Sequence, residues 1–183
     1  SLTGRDYKVQ VNARVVSGVD DNLSGISYDD QRDQLWAVVN SPSELLAMNK
    51  GAALGGFAQE TGEGGLTEYH LAHGADLIWE FGSGYFGTRD EHGNFDPEVF
   101  REKSHLPQVK AINIKLSQGA KPGLGGVLPG SKVTAEIAAA RGVPEGQTCI
   151  SPASHSAFTT PRELIRFVAR LRELSGGKPI GFK

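Results

Sequence analysis

Apolar and polar side chains alternate along the first part of the chain with the period of β-strands. Residues 7–15 place Tyr, Val or Ala at every odd position and a polar residue between them, which predicts a half-buried strand. Residues 23–28 and 34–40 are two further strand-like runs, separated by five polar residues (DDQRD) that are typical of a turn. We therefore predict that residues 1–49 begin as a short antiparallel β segment.

After Gly51 the pattern changes to short apolar runs that alternate with helical patterns and glycine-rich loops. The predicted strands are residues 77–81, 109–116, 149–151 and 179–183. The predicted helices are one through Met48, one that starts after Asp96, one over residues 131–141 and one over residues 160–175. This repetition predicts an α/β fold with a parallel sheet or barrel. A complete (β/α)₈ TIM barrel takes about 250 residues, so residues 50–183 are expected to form a partial one.

The pattern after Thr160 gives the strongest helix prediction in the chain. The sequence Thr-Pro-Arg-Glu is a capping box with Pro at the first helical position. A Ser-Gly-Gly sequence follows Leu174 and predicts the end of the helix. One apolar stripe is expected to face the core, formed by Leu164, Ile165, Val168, Leu171 and Leu174.

The candidate chemistry is concentrated in the loop over residues 115–130 (KLSQGAKPGLGGVLPG). This loop follows a predicted strand and precedes a predicted helix that ends at Arg141. Its glycines and prolines allow tight turns and a close approach to a ligand. Its lysines, its glutamine and the nearby arginine predict a site for an anionic, oxygen-rich ligand.

Composition narrows the classes of function. The chain has 183 residues, a net charge of −2 and 22% charged residues, which gives no reason to expect binding to nucleic acid or to a membrane surface. Cys149 is the single cysteine, so an internal disulfide, an all-cysteine zinc site and an iron–sulfur cluster are not expected. No apolar run approaches the roughly 18 residues that a membrane-spanning helix needs, no signal peptide is recognised, and a cytoplasmic location is expected.

Five motifs after Gly51 resemble the FMN-binding domain of the glutamate synthase family. They are residues 55–65 (GGFAQETGEGG), 76–87 (DLIWEFGSGYFG), 115–130, 150–158 (ISPASHSAF) and 174–183 (LSGGKPIGFK). The resemblance implies a (β/α)₈ barrel that carries FMN, usually beside an iron–sulfur cluster. It also implies reductive formation of glutamate from 2-oxoglutarate through 2-iminoglutarate.

The resemblance implies roles for five side chains. Lys115 is expected near the flavin ring, where a cation would stabilise the anionic reduced flavin. Gln118, Lys121 and Arg141 match positions that hold the carboxylates of 2-oxoglutarate, a small dicarboxylate. Glu63 matches a carboxylate beside the imine or ammonia. Lys115 and Glu63 are thus the implied catalytic residues.

The resemblance also implies cofactor contacts that this sequence provides only in part. The backbone expected to approach FMN includes Gly119, Gly123, Gly125 and Gly126. The family's first-strand motif, which contacts the flavin, is not found. The phosphate-binding loops and cluster cysteines would follow Lys183. We therefore expect no tight FMN binding and no metal site in these residues.

The first part of the chain resembles a second family, the SdiA-regulated, β-propeller-like proteins. The matching stretches are residues 18–28 (GVDDNLSGISY) and 33–46 (DQLWAVVNSPSELL). The interpretation is a chimera, with a propeller-like segment over residues 1–49 and a partial barrel over residues 50–183. The junction is expected within residues 46–52.

Three functions are compatible with the sequence. The chain could be a flavin-dependent oxidoreductase of the glutamate synthase type, a remnant that binds a dicarboxylate or another anion without redox chemistry, or a fusion fragment without activity. The open edges of a partial barrel predict self-association.

Three other motifs are given structural interpretations. Residues 82–87 spell G-x-G-x-x-G, but no apolar-faced helix follows as a dinucleotide fold requires. His70 and His73 are interpreted as a surface pair rather than metal ligands. The sequence around His155 lacks the nucleophile elbow of a hydrolase.

Overall fold

The computed structural model describes the strand residues 26–29 and 34–37, residues 42–118, Gly123 and residues 125–183. The chain separates into two compact units, residues 1–41 and residues 42–183. In the first unit, strands β1 (Ile26–Asp29) and β2 (Gln34–Ala37) form an antiparallel pair. The predicted hairpin is confirmed with shorter strands. The strand predicted over residues 7–15 lies outside the described residues.

The second unit alternates helices and strands. Its elements are α1 (Pro42–Gly55), β3 (Gln59–Glu60), α2 (Glu68–Leu71), β4 (Leu77–Phe81), α3 (Pro97–Ser104), β5 (Val109–Ile114), β6 (Gly126–Leu128), a 3₁₀ turn (Gly130–Lys132), α4 (Ala135–Arg141), β7 (Cys149–Ser151), α5 (Pro161–Leu174) and β8 (Ile180–Phe182). None of the helices in the described ranges has the length and apolar character needed to span a bilayer.

Strands β3, β4, β5 and β8 form one parallel sheet in which spatial order follows chain order. Helices α3 and α5 lie between successive strands and contact each other. Both contribute to the same apolar core as β4 and β5, so they cover the same face of the sheet. The predicted α/β fold with a parallel sheet is confirmed, whereas a closed barrel stays a prediction.

The main core lies between the sheet and helices α3 and α5. Side chains alternate along β4, and Leu77, Trp79 and Phe81 are fully buried on the helix side. The Trp79 ring stacks on Phe100 of α3 with a centroid distance of 5.3 Å. Trp79 therefore lies at the centre of the core. Glu80, which lies between Trp79 and Phe81 in the strand, points to the opposite face of the sheet, where polar side chains cluster.

The predicted N-cap of helix α5 is confirmed, whereas its predicted apolar stripe is partly wrong. Thr160 accepts a hydrogen bond from the Glu163 amide, and the Glu163 carboxylate accepts one from the Thr160 amide. Ile165 was expected in the core but is 60% exposed, whereas Phe167 is buried. At about 100° per residue, Phe167 lies about 40° and Ile165 about 120° from Leu171 at the centre of the stripe.

Residues between β5 and α5 depart from the predicted elements. The helix predicted from residue 131 begins at Ala135, because Thr134 caps it and a 3₁₀ turn precedes it. The strand predicted over residues 109–116 ends at Ile114. Strand β7 does not join the parallel sheet but pairs antiparallel with β6. The segment that contains β6, α4 and β7 therefore follows the carboxyl end of β5.

Helix α1 crosses the predicted domain boundary after residue 49 and extends past Met48, where the helix was expected to end. Its Asn49 is fully buried and donates hydrogen bonds to Gln59 Oε1 (2.9 Å) and to the His70 carbonyl. Helix α1 therefore packs with the second unit. The division of the chain by ancestry stays a prediction.

Candidate active site at the carboxyl ends of the strands

The candidate site forms where the parallel strands end. Glu63 follows β3, Gly82 follows β4 and Lys115 follows β5. The Lys115 amide donates to the Phe81 carbonyl at 2.9 Å, so the ladder between β4 and β5 continues to this level. In open α/β sheets and barrels, ligands bind at this edge because the loops that follow the strands converge there.

Glu63 joins Lys115 through an ion pair and Gln118 through hydrogen bonds. Lys115 Nζ lies 3.1 Å from Glu63 Oε1. Gln118 Nε2 donates to Glu63 Oε1 at 3.0 Å and to Oε2 at 3.2 Å. The Lys115 and Glu63 side chains are 22% and 26% exposed, so the pair is accessible to a small ligand. The structure thus brings together three of the predicted site residues.

Arg141 lies beside this group at the end of α4. Its carbonyl accepts from the Gly87 amide at 3.3 Å, and its guanidinium lies over the Phe86 ring at 4.7 Å. Arg141 Nη2 also lies close to Gly64, the neighbour of Glu63. A Cβ built on Gly64 would be 4.0 Å from this nitrogen. Within the described ranges no carboxylate is recorded as pairing with the Arg141 guanidinium, whose Nη1 lies 3.9 Å from Cys149 Sγ. Its donors can therefore receive an anion.

The predicted glycine contacts divide into three groups. Gly119, like Lys121, lies outside the described residues. Gly123 has a φ of +76° and open space where a side chain would be. Gly125 is needed for close packing, because a Cβ there would collide with the Ser151 carbonyl, and Gly126 lies beside Ser151 in the β6–β7 pair. The described part of the loop therefore uses glycine partly for its own packing.

Gly82 is in close contact with the Glu63 carboxylate. A Cβ on Gly82 would be 2.7 Å from Glu63 Oε2, closer than such atoms approach in proteins. The Glu63 carboxylate therefore lies against the backbone of the first residue after β4.

Sequence reasoning missed a buried network next to Lys115. His155 Nε2 lies 2.8 Å from the Lys115 carbonyl, and His155 Nδ1 lies 3.1 Å from the Tyr85 hydroxyl. The Ala157 amide donates to the Tyr85 oxygen at 3.1 Å. Burial lowers the pKa of His155 and raises that of Tyr85. The only signal in the sequence was the position of His155 within the 150–158 motif.

A charged cluster, which was also not predicted, covers the sheet face below the site. Lys183 Nζ lies 2.6 Å from Glu80 Oε2 and 3.1 Å from Glu60 Oε1, and Asn113 Nδ2 donates to Glu60 Oε1 at 3.0 Å. Burial and the hydrogen bond with Glu60 raise the pKa of Glu80 to about 7. Burial acts to raise the pKa of Glu60 as well, but its hydrogen bonds with Glu80, Asn113 and Lys183 outweigh burial and lower it. Glu80 is therefore the member that holds a proton near neutral pH.

Comparison with known proteins places these residues in a family. A family described as "Conserved region in glutamate synthase" matches residues 40–183. This match contains every described site residue. The chain belongs to the glutamate synthase family. A second family, described as "SdiA-regulated", matches residues 1–58, which overlaps the first match across helix α1.

Individual relatives agree with this family. The chain is 46% identical over 140 residues to the glutamate synthase large subunit-like protein YerD of Bacillus subtilis, a match that covers 76% of this chain and 26% of that protein. It is 42% identical over 118 residues to the archaeal glutamate synthase [NADPH] of Methanocaldococcus jannaschii, covering 64% and 21%. It is 33% identical over 144 residues to the archaeal-type glutamate synthase [NADPH] of Thermotoga maritima, covering 78% and 26%. The chain thus spans about a quarter of the length of these glutamate synthases.

The interpretation of the histidines after β3 requires one correction. His70 was expected at the surface but is buried, and its Nδ1 lies 2.9 Å from the Thr67 hydroxyl and 3.1 Å from the Thr67 amide. His70 therefore closes the first turn of α2, while His73 is exposed. Among the described residues, no group of three His, Cys, Asp or Glu side chains could hold a metal ion.

Proposed function

We propose that residues 42–183 are part of a flavin-dependent oxidoreductase of the glutamate synthase type with a (β/α)₈ barrel fold. The site at the strand ends would bind 2-oxoglutarate and the 2-iminoglutarate formed from it with ammonia. The observation that carries this proposal is the Glu63–Lys115–Gln118 group beside the Arg141 guanidinium. It combines a fixed carboxylate with cationic and amide donors at the ligand-binding edge of a parallel sheet.

Arg141 is the side chain best suited to a carboxylate of the substrate. A planar guanidinium can donate two parallel hydrogen bonds to one carboxylate, which a lysine cannot. The Phe86 ring below it fixes the guanidinium plane. The second carboxylate is assigned to Gln118 and Lys121 from their positions in the family motif.

Glu63 would serve the nitrogen side of the substrate. Its carboxylate pairs with the Lys115 ammonium, accepts a hydrogen bond from Gln118 and lies against Gly82. A fixed negative charge favours an ammonium or protonated imine over the neutral form. An iminium bound here would lie between the Glu63 carboxylate and the side chains that donate hydrogen bonds to the carboxylates of the substrate.

The described residues fit FMN only in part. Tight binding of this group needs a wall for the ring, a cation near its pyrimidine edge and a cradle for its phosphate, commonly a helix N-terminus. Lys115 supplies the cation. The N-termini of α3 and α5 are closed by their own Asp96 and Glu163 carboxylates, which would repel a phosphate. When bound, the flavin would supply the reducing electrons.

The closed helix ends favour a second candidate, dicarboxylate binding without redox chemistry. The two candidates share the substrate and differ in the flavin. Purified chain with stoichiometric yellow cofactor would support the oxidoreductase. Chain that binds 2-oxoglutarate but contains no flavin would support the binding-only function.

Isothermal titration calorimetry with 2-oxoglutarate tests the shared part. Arg141→Lys keeps the charge but loses the two-pronged geometry, and we expect it to weaken binding by about tenfold or more, since hydrogen bonds to charged groups contribute about 1.5–3 kcal/mol. Arg172→Lys on the exposed face of α5 is the matched control and should bind like the wild type. Equal binding by Arg141→Lys, or no binding by the wild type, would contradict the assigned site.

A further inference from the structure

The pairing between β4 and β5, which positions Lys115 at the site, ends in an unusual way. In a parallel ladder, a residue that donates to one neighbour also accepts from the amide two residues further along that neighbour. Lys115 donates to the Phe81 carbonyl, so its own carbonyl would accept from the amide of residue 83. The chain has already turned there, because the Tyr85 amide closes a turn on the Gly82 carbonyl at 3.0 Å.

His155 occupies the place of the missing ladder donor. Its Nε2 lies 2.8 Å from the Lys115 carbonyl, a normal hydrogen-bond distance. A carbonyl oxygen can only accept, so Nε2 carries the proton and Nδ1 carries the lone pair. Nδ1 therefore accepts from the Tyr85 hydroxyl, and the Tyr85 oxygen accepts from the Ala157 amide. All three hydrogen bonds thus run in one consistent direction.

Packing fixes the His155 ring in this position. The ring stacks on Phe158 at 4.7 Å with an interplanar angle of 19°, and Tyr85 meets it edge-on at 5.3 Å. Tyr85 is fully buried and has a φ of +47°. A non-glycine residue in the left-handed region is uncommon and persists only where its surroundings hold it. The loop after β4 is thus held in a costly conformation that places the Tyr85 hydroxyl against His155.

We propose that His155 is a positioning residue for Lys115, and that Tyr85 fixes the tautomer His155 needs for this task. The imidazole extends the ladder by one bond at the strand end, so that the Lys115 side chain leaves the sheet toward Glu63. This inference rests on the proposed function, since it gives the network its purpose in holding the dicarboxylate site.

Four variants of the full chain test the proposal by calorimetry with 2-oxoglutarate. His155→Leu removes both ring nitrogens and should weaken binding by about tenfold. His155→Gln can place its amide nitrogen where Nε2 lies and should bind within about threefold of the wild type. Tyr85→Phe removes the hydrogen bond that fixes the His155 tautomer, and its affinity should lie between those of the two His155 variants. Leu171→Val loosens the same apolar core at a side chain that makes no hydrogen bond to the network, and it should leave affinity unchanged.

Amide hydrogen exchange without ligand separates this inference from the proposed function. His155→Leu should accelerate exchange at Lys115 and Leu116 selectively, while amides in the middle of β5 change no more than in Leu171→Val. If the wild type binds no 2-oxoglutarate, the proposed function fails and the exchange result alone decides the positioning role. Selective acceleration that His155→Gln reverses supports it. Uniform or absent acceleration overturns it, as does wild-type affinity in His155→Leu when the wild type binds.

Discussion

Lys183 Nζ lies 2.6 Å from Glu80 Oε2, and the Glu80 side chain is only 3% exposed. Glu80 is the most buried carboxylate among the contacts between charged side chains described in the second unit. It lies on the sheet face opposite the aromatic core, one layer below Lys115. Lys183 and Lys115 follow the paired residues Phe182 and Ile114 on neighbouring strands. Each lysine is turned toward a different carboxylate, so the two like charges are separated by their partners.

Glu80 is expected to give the folded state a distinctive dependence on pH. Its pKa is raised to about 7 by burial and by Glu60, so the folded state binds a proton more tightly than the unfolded state does. Its contribution to stability is therefore complete below the unfolded pKa and is lost as pH rises through about 7. We expect the wild type to lose about 1–3 kcal/mol relative to Glu80→Gln between pH 5 and pH 8.

Urea unfolding at several pH values measures this difference. Glu173→Gln, on the exposed face of α5, is the control and should follow the wild type. A constant difference between Glu80→Gln and the wild type over this range would show that Glu80 does not titrate there.

Leu171 should be among the most sensitive core positions of α5. It is fully buried at the centre of the helix stripe, so Leu171→Ala removes packed methyl groups and leaves a cavity. We expect a loss of about 2–4 kcal/mol in the free energy of unfolding. Ile165→Ala on the same helix, at 60% exposure, should cost below about 1 kcal/mol. Chemical denaturation of both variants checks the pair, and equal losses would contradict the observed packing.

The chain is expected to purify without flavin. The described residues give FMN a cation, but the N-termini of α3 and α5 are closed by their own carboxylates, and each missing hydrogen bond to a charged group is worth about 1.5–3 kcal/mol. Two or three such losses change nanomolar affinity to about micromolar or weaker. Added FMN should therefore keep its fluorescence at low micromolar protein. Riboflavin, which lacks the phosphate, is the control and should bind no worse than FMN. Stoichiometric FMN in the purified chain would refute this expectation.

The open sheet should promote self-association. Its end strands are β3 and β8, and an exposed Phe lies at or near each, Phe57 at 61% and Phe182 at 51% exposure. Unpaired strand edges with apolar side chains favour pairing with another copy. We expect oligomers by light scattering at about tens of micromolar, and less association for Phe57→Ser/Phe182→Ser. Ile165→Ser is the control for lost apolar surface away from the edges. A monodisperse wild-type monomer would rule out this association.

Elements with strong local signals could be predicted from the sequence. The cap, stripe and stop of α5 and the apolar alternation of β4 each act within a few residues, and both elements form where expected. The antiparallel pairing of β6 with β7 could not be predicted, because two three-residue strands carry little pattern. The burial of Phe167 instead of Ile165 was also not predictable, because the sequence does not define which residues lie at the edge of an apolar stripe.

The site was predictable where the loop pattern and the family motifs marked it. Glu63, Lys115 and Gln118 lie in motifs and Arg141 ends the helix that follows one of them, and their convergence depends on the order of the parallel strands. The Tyr85–His155 bond joins residues 70 positions apart, and Lys183 reaches Glu60 across 123. Neither pair has a local signature, because burial and tertiary contacts, rather than neighbouring residues, decide their partners.

The full burial of Trp79 makes the second unit optically distinguishable from the first. The chain contains two tryptophans, and they lie in different units, Trp36 in β2 and Trp79 in β4. A Trp36→Phe variant would leave a single indole, stacked on Phe100 and shielded from water. The red shift of its emission would then follow the unfolding of residues 42–183 alone. The unfolding of the second unit can thus be followed separately within one intact chain.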